Sequence, residues 1–215
     1  MKKHITFFLL LGLLVCFGAS AQSRVKVACV GNSITEGAGL QKTYPMVLQE
    51  LLGEAYEVRN FGVSGRTLLK KGNLPYWNES KYQDALNWNP DIVIIKLGTN
   101  DSKPQNWVYK EEFKPDYQAF VRSFQKLASK PKVFLCTPVP VFAEKFSIQQ
   151  QVVNTEVMPA VKKIARKTKA KTIDLYSAFL GKPDLTYDGI HPNEAGAALL
   201  ANEVYQQLSK NHQKK

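Results

Sequence analysis

Short apolar runs alternate with stretches of helical period along most of this chain. Residues 25–30 form a nearly continuous apolar run that ends at Gly31, the pattern of a strand buried on both faces. Residues 45–52 place Met46, Val47, Leu48, Leu51 and Leu52 behind Pro45 and before Gly53, which predicts a helix with a proline start and a glycine stop. A second, shorter strand is predicted over 57–61, and the most strongly buried one over 91–97 (Ile92-Val93-Ile94-Ile95). Phe120, Phe124 and Leu127 recur at three- to four-residue spacing, predicting a helix over 114–129. A fourth strand is predicted over 132–137, stopped by Pro138 and Pro140. A long helix with a kink at Pro159 follows over 148–168, then a fifth strand over 172–175 and a closing helix over 193–209. The polar residues 210–215 read as a frayed end. Strands alternating with helices imply a parallel sheet covered on both faces, which binds ligands beyond the carboxyl ends of its strands. The loops after Val30, Phe61, Leu97, Thr137 and Leu175 are therefore the places to look for chemistry.

The 215 residues suit one domain, expected over 22–215. Residues 1–21 are set apart from it. Lys2 and Lys3 precede an apolar stretch over 5–17, and Ala19-Ser20-Ala21 gives a small-x-small cleavage pattern, so a secretory signal and export to periplasm or medium are expected. The apolar stretch is shorter than the roughly 20 residues a membrane span needs. Lipid attachment at Cys16 is the less favoured alternative, because bulky Val15 precedes it. Loss of Lys2 and Lys3 would lower the formal charge from +11 to +9. It would leave Cys29 and Cys136, both within apolar runs and read as buried thiols, with a disulfide possible in an oxidising compartment. No Cys/His cluster has metal-ligand spacing, so neither metal nor other cofactor is expected. The basic charge lacks the clustered stripe with repeated aromatics that a nucleic-acid surface shows.

The chain has three histidines: His4 lies in the leader and His212 in the polar tail. A histidine base must then be His191, in Tyr187-Asp188-Gly189-Ile190-His191-Pro192. Asp188, three residues upstream with glycine between, can fold its carboxylate onto Nδ1 and leave Nε2 free to accept a proton. The other reading of this segment is an ordinary loop before a helix. Ser33, in Gly31-Asn32-Ser33, follows the first strand and is a candidate nucleophile, though serines after strands are common. Donors to a developing oxyanion are available from Ser33 N–H, from a glycine of Asn60-Phe61-Gly62-Val63-Ser64-Gly65, and from the amide of Asn100 in Gly98-Thr99-Asn100-Asp101. Gly62 and Gly65 serve equally well as turn formers, and Asn100 as a helix cap. All four segments fall at predicted strand ends.

The ordered set Gly-x-Ser, Asn-x-Gly-x-x-Gly, Gly-x-Asn-Asp and Asp-x-x-His resembles the SGNH hydrolases, also called the GDSL esterase/lipase family, across residues 25–205. The resemblance implies a three-layer α/β/α, flavodoxin-like fold with a five-stranded parallel sheet, and ester hydrolysis without metal. It implies Ser33 as nucleophile, Asp188 and His191 as its partners, and Ser33, Gly65 and Asn100 as the oxyanion hole; Gly65 is chosen because the family's donor ends that block. The chain departs from the family at Asn32, where the family usually has Asp, as do variants among its carbohydrate acetylesterases.

The substrate is less constrained. Trp77, Trp107 and Tyr187 stand in the candidate loops and could face sugar rings, and Arg66, Lys70, Lys71 and Lys103 could draw an anionic one. No long apolar loop supplies a tunnel for an acyl chain, which favours acetyl. With an overall similarity to secreted bacterial sialate O-acetylesterases, an acetylated sialic acid is the first expectation and an acetylated plant polysaccharide the second. A lysophospholipase or thioesterase for longer acyl chains is the alternative within the family, and a glycan-binding protein without chemistry the remote one. The expected partner is a small-molecule or glycan ester, with no nucleic acid and no lasting membrane insertion.

Overall fold

The computed structural model describes residues 23–210, so the expected leader and Cys16 lie outside the described residues. Five strands, β1 (Val25–Gly31), β2 (Tyr56–Gly62), β3 (Ile92–Lys96), β4 (Lys132–Cys136) and β5 (Lys171–Ile173), form one parallel sheet in the order β2-β1-β3-β4-β5. Around it lie α1 (Ser33–Glu36), α2 (Tyr44–Leu52), α3 (Ser80–Asn87), α4 (Pro104–Trp107), α5 (Lys110–Gln125), α6 (Gln150–Val152), α7 (Met158–Thr168), α8 (Leu175–Phe179) and α9 (Glu194–Lys210).

Alternation along the strands divides the core. Ala28, Val30, Val93, Ile95 and Leu135 meet the aromatic face of α5 and the apolar stripe of α7. Val27, Cys29, Ile92, Ile94, Phe134 and Cys136 meet Tyr44 and Leu48 of α2 and Leu200, Val204 and Leu208 of α9. Two covered faces explain why β1, β3 and β4 read as nearly continuous apolar runs.

Several boundaries differ from the sequence reading. Helix α5 begins at Lys110, four residues early, where Glu111 and Glu112 favour the first turn, and it carries Pro115 inside. The expected kink at Pro159 is a π-helical turn over Val153–Val157 just upstream, joining α6 to α7. Such a wide turn suits a residue that offers no N–H to the preceding turn. Strand β5 stops at Ile173 because Asp174 caps α8, its side chain accepting from Ser177 N–H at 3.2 Å. Lys210, expected to fray, is the last residue of α9. Cys29 and Cys136 are free, and β3 lies between their strands, which separates them by about 10 Å, beyond disulfide reach. Burial pushes both thiols up to about 12.

Lys96 ends β3 fully buried, and its Nζ has no hydrogen-bond partner among the described residues. Burial pushes its ammonium down to about 8. Between about pH 8 and the ordinary lysine value the folded protein binds fewer protons than the unfolded chain, so Lys96 makes stability rise with pH across that window. Below pH 8 it is charged in both states and costs stability. Lys96→Met should therefore stabilise the protein at pH 7 by on the order of 3 kcal/mol and flatten the rise above pH 8. Urea unfolding of both proteins at pH 7, 8 and 10 measures this; equal midpoints at pH 7 would contradict it.

Candidate active site

Strands β2, β1 and β3 are neighbours, and the loops leaving their carboxyl ends carry Gly65, Ser33 and Asn100. Ser33 opens α1 directly after β1. Asn32, buried, caps that turn, its Oδ1 accepting the Ile34 N–H at 3.2 Å. The cap needs only an acceptor oxygen. Asn supplies it without burying a charge, a physical account of the departure from the family's Asp.

The fourth segment arrives from the far edge of the sheet, between β5 and α9. Residues 185–193 double back on themselves: Tyr187 N–H bonds His191 O at 3.0 Å, and Asn193 N–H bonds Leu185 O at 2.9 Å. Gly189, at φ +87°, is held against Ala143, where a Cβ would come within 2.5 Å of that side chain, and its carbonyl accepts Phe142 N–H at 2.8 Å. In this loop Asp188 Oδ1 accepts the N–H groups of Ile190 (2.9 Å) and His191 (2.7 Å). Asp188 Oδ2 lies 2.7 Å from His191 Nδ1, and His191 Nε2 lies 2.9 Å from Ser33 Oγ. Burial would raise the Asp188 carboxyl, but the backbone and imidazole bonds from His191 and the N–H of Ile190 outweigh it and hold the group below the usual carboxylate range. A hydroxyl, imidazole and carboxylate in this order can move the hydroxyl proton to Nε2 while the carboxylate retains Nδ1–H.

Gly62 and Gly65 separate here. Gly62 N–H is engaged by Asn60 Oδ1 at 2.8 Å, and a Cβ at Gly62 would meet the backbone of Glu36 at 2.1 Å, so this glycine exists for close packing on α1. Gly65 lines the cleft with Ser33, Asn100 and His191, and no acceptor among the described residues takes its N–H. One amide hydrogen of Asn100 is fixed on Arg66 O at 3.2 Å. The other remains for a ligand.

Of the residues expected to contact substrate, the structure brings Tyr187 and Lys103 to the cleft and leaves Arg66, Lys70, Lys71, Trp77 and Trp107 out of it. The Tyr187 ring stacks on His191, with centroids 5.6 Å apart and 11° between planes, and its hydroxyl reaches Ala38 O at 3.3 Å. Trp77 instead turns inward, bonding Leu68 O through Nε1 at 2.7 Å and packing on Tyr82 and Phe120. Trp107 packs on Phe113 at 5.4 Å. Arg66 is a structural clamp on the loop that carries Gly65: Nε bonds Glu79 at 2.6 Å and an end nitrogen bonds Ser64 O at 2.8 Å. Trp77, Trp107 and Arg66 found enough partners within the protein to be consumed by it.

Three other residues were missed. Phe146 is 61% exposed at the rim, edge-on to His191 at 5.8 Å. It is held there by two successive left-handed backbone positions, Phe146 (φ 54°) and Ser147 (φ 59°), a costly conformation for non-glycine residues. Asp101, quoted within its motif but given no role, accepts Leu68 N–H at 2.9 Å and Leu69 N–H at 2.7 Å and so ties the loop after β3 to that after β2. Burial raises its carboxyl to about 6 against those bonds. The hydroxyl of Ser64, on the cleft wall, donates to Glu36. The cleft is open, with a volume of about 290 Å³. Among the described residues no group of three or more His, Cys, Asp or Glu side chains could hold a metal ion.

The sequence pattern of the GDSL-like Lipase/Acylhydrolase family matches residues 29–199, from β1 into α9. The chain belongs to this family. Proteins similar to this chain include an acetylxylan esterase of Xylanibacter ruminicola, 42% identical over 208 residues, 86% of this chain but 43% of that protein. The chain thus spans less than half the length of that relative. Among solved structures, an acetyl xylan esterase is 26% identical with a TM-score of 0.69, covering 85% of this chain and 99% of its own. A two-domain esterase active on acetylated mannans is 25% identical with a TM-score of 0.65, covering 88% of this chain and 50% of its own. The five-stranded parallel sheet flanked by helices matches the fold of these neighbours.

Proposed function

We propose that this chain is a serine esterase that removes acetyl groups from O-acetylated carbohydrate. The observation that carries the reading is the continuous 2.9 Å and 2.7 Å path from Ser33 Oγ through His191 to Asp188, open to a cleft with unengaged donors. In this reading His191 Nε2 takes the Ser33 proton as Oγ attacks the ester carbonyl. The oxyanion rests on the N–H groups of Ser33 and Gly65 and on the Asn100 amide, each such donor being worth about 3 kcal/mol in a transition state. His191 then protonates the departing alcohol, and water releases the acid by the same steps.

Acetyl is favoured because the cleft is open and short, with Phe146 and Tyr187 at its mouth instead of a long apolar groove. The names of the relatives move the preferred alcohol from sialic acid to plant polysaccharide of the xylan or mannan kind. Export, supported by the sequence of residues 1–21, would bring the enzyme to such polymers. Acetate release from acetylated xylan, acetylated mannan and an O-acetylated sialic acid tests the assignment. Release from the plant polymers at several times the sialate rate is expected; release from the sialate alone would return the reading to sialic acid, and release from none would end the carbohydrate assignment.

A further inference from the structure

Four cations stand in the loops after β2 and β3, and three are neutralised within the protein. Arg66 pairs with Glu79 at 2.6 Å, Lys70 with Asp116 at 3.6 Å and Lys71 with Glu112 at 2.6 Å. Lys103 is the exception. It lines the same cleft as Ser33, Asn100 and His191, and among the described residues no carboxylate lies within ion-pair distance of it. Its backbone closes the short turn that begins at Asn100, Lys103 N–H bonding Asn100 O at 3.3 Å, so its position is fixed relative to the oxyanion donor. The two acids that bond cleft residues are engaged there: Asp188 with His191, and Glu36 with Ser64.

We propose that Lys103 is a specificity-determining residue that receives a carboxylate carried by the acetylated sugar. An acetyl group has no room for a charge, so the anion must sit on the alcohol half of the ester. One unpaired ammonium matches a monoanion. The aromatic rings of Phe146 and Tyr187 at the same rim suit the ring that bears it. Partial burial without a counter-charge pushes the Lys103 ammonium down, a cost that an incoming carboxylate would relieve. The sugar is then an acidic one: a uronic acid unit of a plant polymer in keeping with the preferred substrate, with a sialic acid as the other source the test distinguishes. This inference rests on the carbohydrate esterase reading.

The test compares kcat/KM for three monoacetylated sugars: methyl glucuronoside, methyl glucoside and N-acetylneuraminate. The first two differ in a carboxylate against a hydroxymethyl group. The expected glucuronoside-to-glucoside ratio, or the neuraminate-to-glucoside ratio if the acid is sialic, is about tenfold. The ratio should shrink at high salt, fall to near one in Lys103→Met and be retained in Lys103→Arg. Which acidic sugar shows the preference identifies its source. Equal rates on all three sugars, or a ratio that survives in Lys103→Met, would overturn the role of Lys103 while leaving the esterase reading intact. Hydrolysis of none of the sugars, with p-nitrophenyl acetate still turned over, would overturn both the carbohydrate reading and this one.

Discussion

Asp188→Asn should lower kcat by about 10⁴-fold with the fold retained. The reason lies in how the carboxylate is shared. Oδ1 accepts two backbone N–H groups, from Ile190 and His191, whereas Oδ2 faces His191 Nδ1. An asparagine can keep both backbone bonds only by placing its carbonyl oxygen at the Oδ1 position. That turns its NH₂ toward Nδ1, which must then act as acceptor, and the ring proton moves to Nε2. A protonated Nε2 cannot take the proton of Ser33. The loop keeps its backbone bonds, so thermal unfolding should change little while turnover collapses. A loss of tenfold or less, with the folded state intact, would mean that Asp188 does not set the imidazole tautomer.

The wild-type carboxylate is held below its ordinary range, so it remains ionised above the ordinary aspartate value. Its contribution to stability is present there and is lost as pH falls through the depressed value.

The fold was legible where burial on two faces left an apolar signature, as in β1, β3 and β4. It was not legible in α3, which buries only Tyr82 and Ala85, or in the one-turn helices α1, α4 and α8, too short to show a period. Ser33, Asn100 and His191 could be found as candidates because each follows a strand or a glycine turn, and sheet topology sends those positions to one edge, whereas the choice of Gly65 over Gly62 came from the family resemblance. What surrounds them depends on distant partners. Arg66 is consumed by Glu79, Trp77 by Leu68 and Phe120, and Lys71 by Glu112, 41 residues on. Phe146 reaches the site only because the loop that holds it is bonded to Gly189 through Phe142. No periodicity encodes such meetings. The short polar turn before α9 was, by contrast, readable to the atom, because Asp188 and His191 are three residues apart and need no tertiary partner to meet.

Ser33→Ala should lower kcat on an acetyl ester by about 10⁶-fold, leaving the residual rate that oxyanion donors and binding alone support. The substitution removes one oxygen from a turn whose backbone is held by the Asn32 cap, so nothing else in the site is required to move. Hydrolysis of p-nitrophenyl acetate and p-nitrophenyl octanoate by the wild-type protein and by Ser33→Ala tests the serine-esterase assignment. Rapid acetate turnover, slower octanoate turnover and loss of both in Ser33→Ala are the expected results. Preference for octanoate would contradict the short-acyl assignment, and equal rates for wild type and Ser33→Ala would contradict Ser33 as the nucleophile.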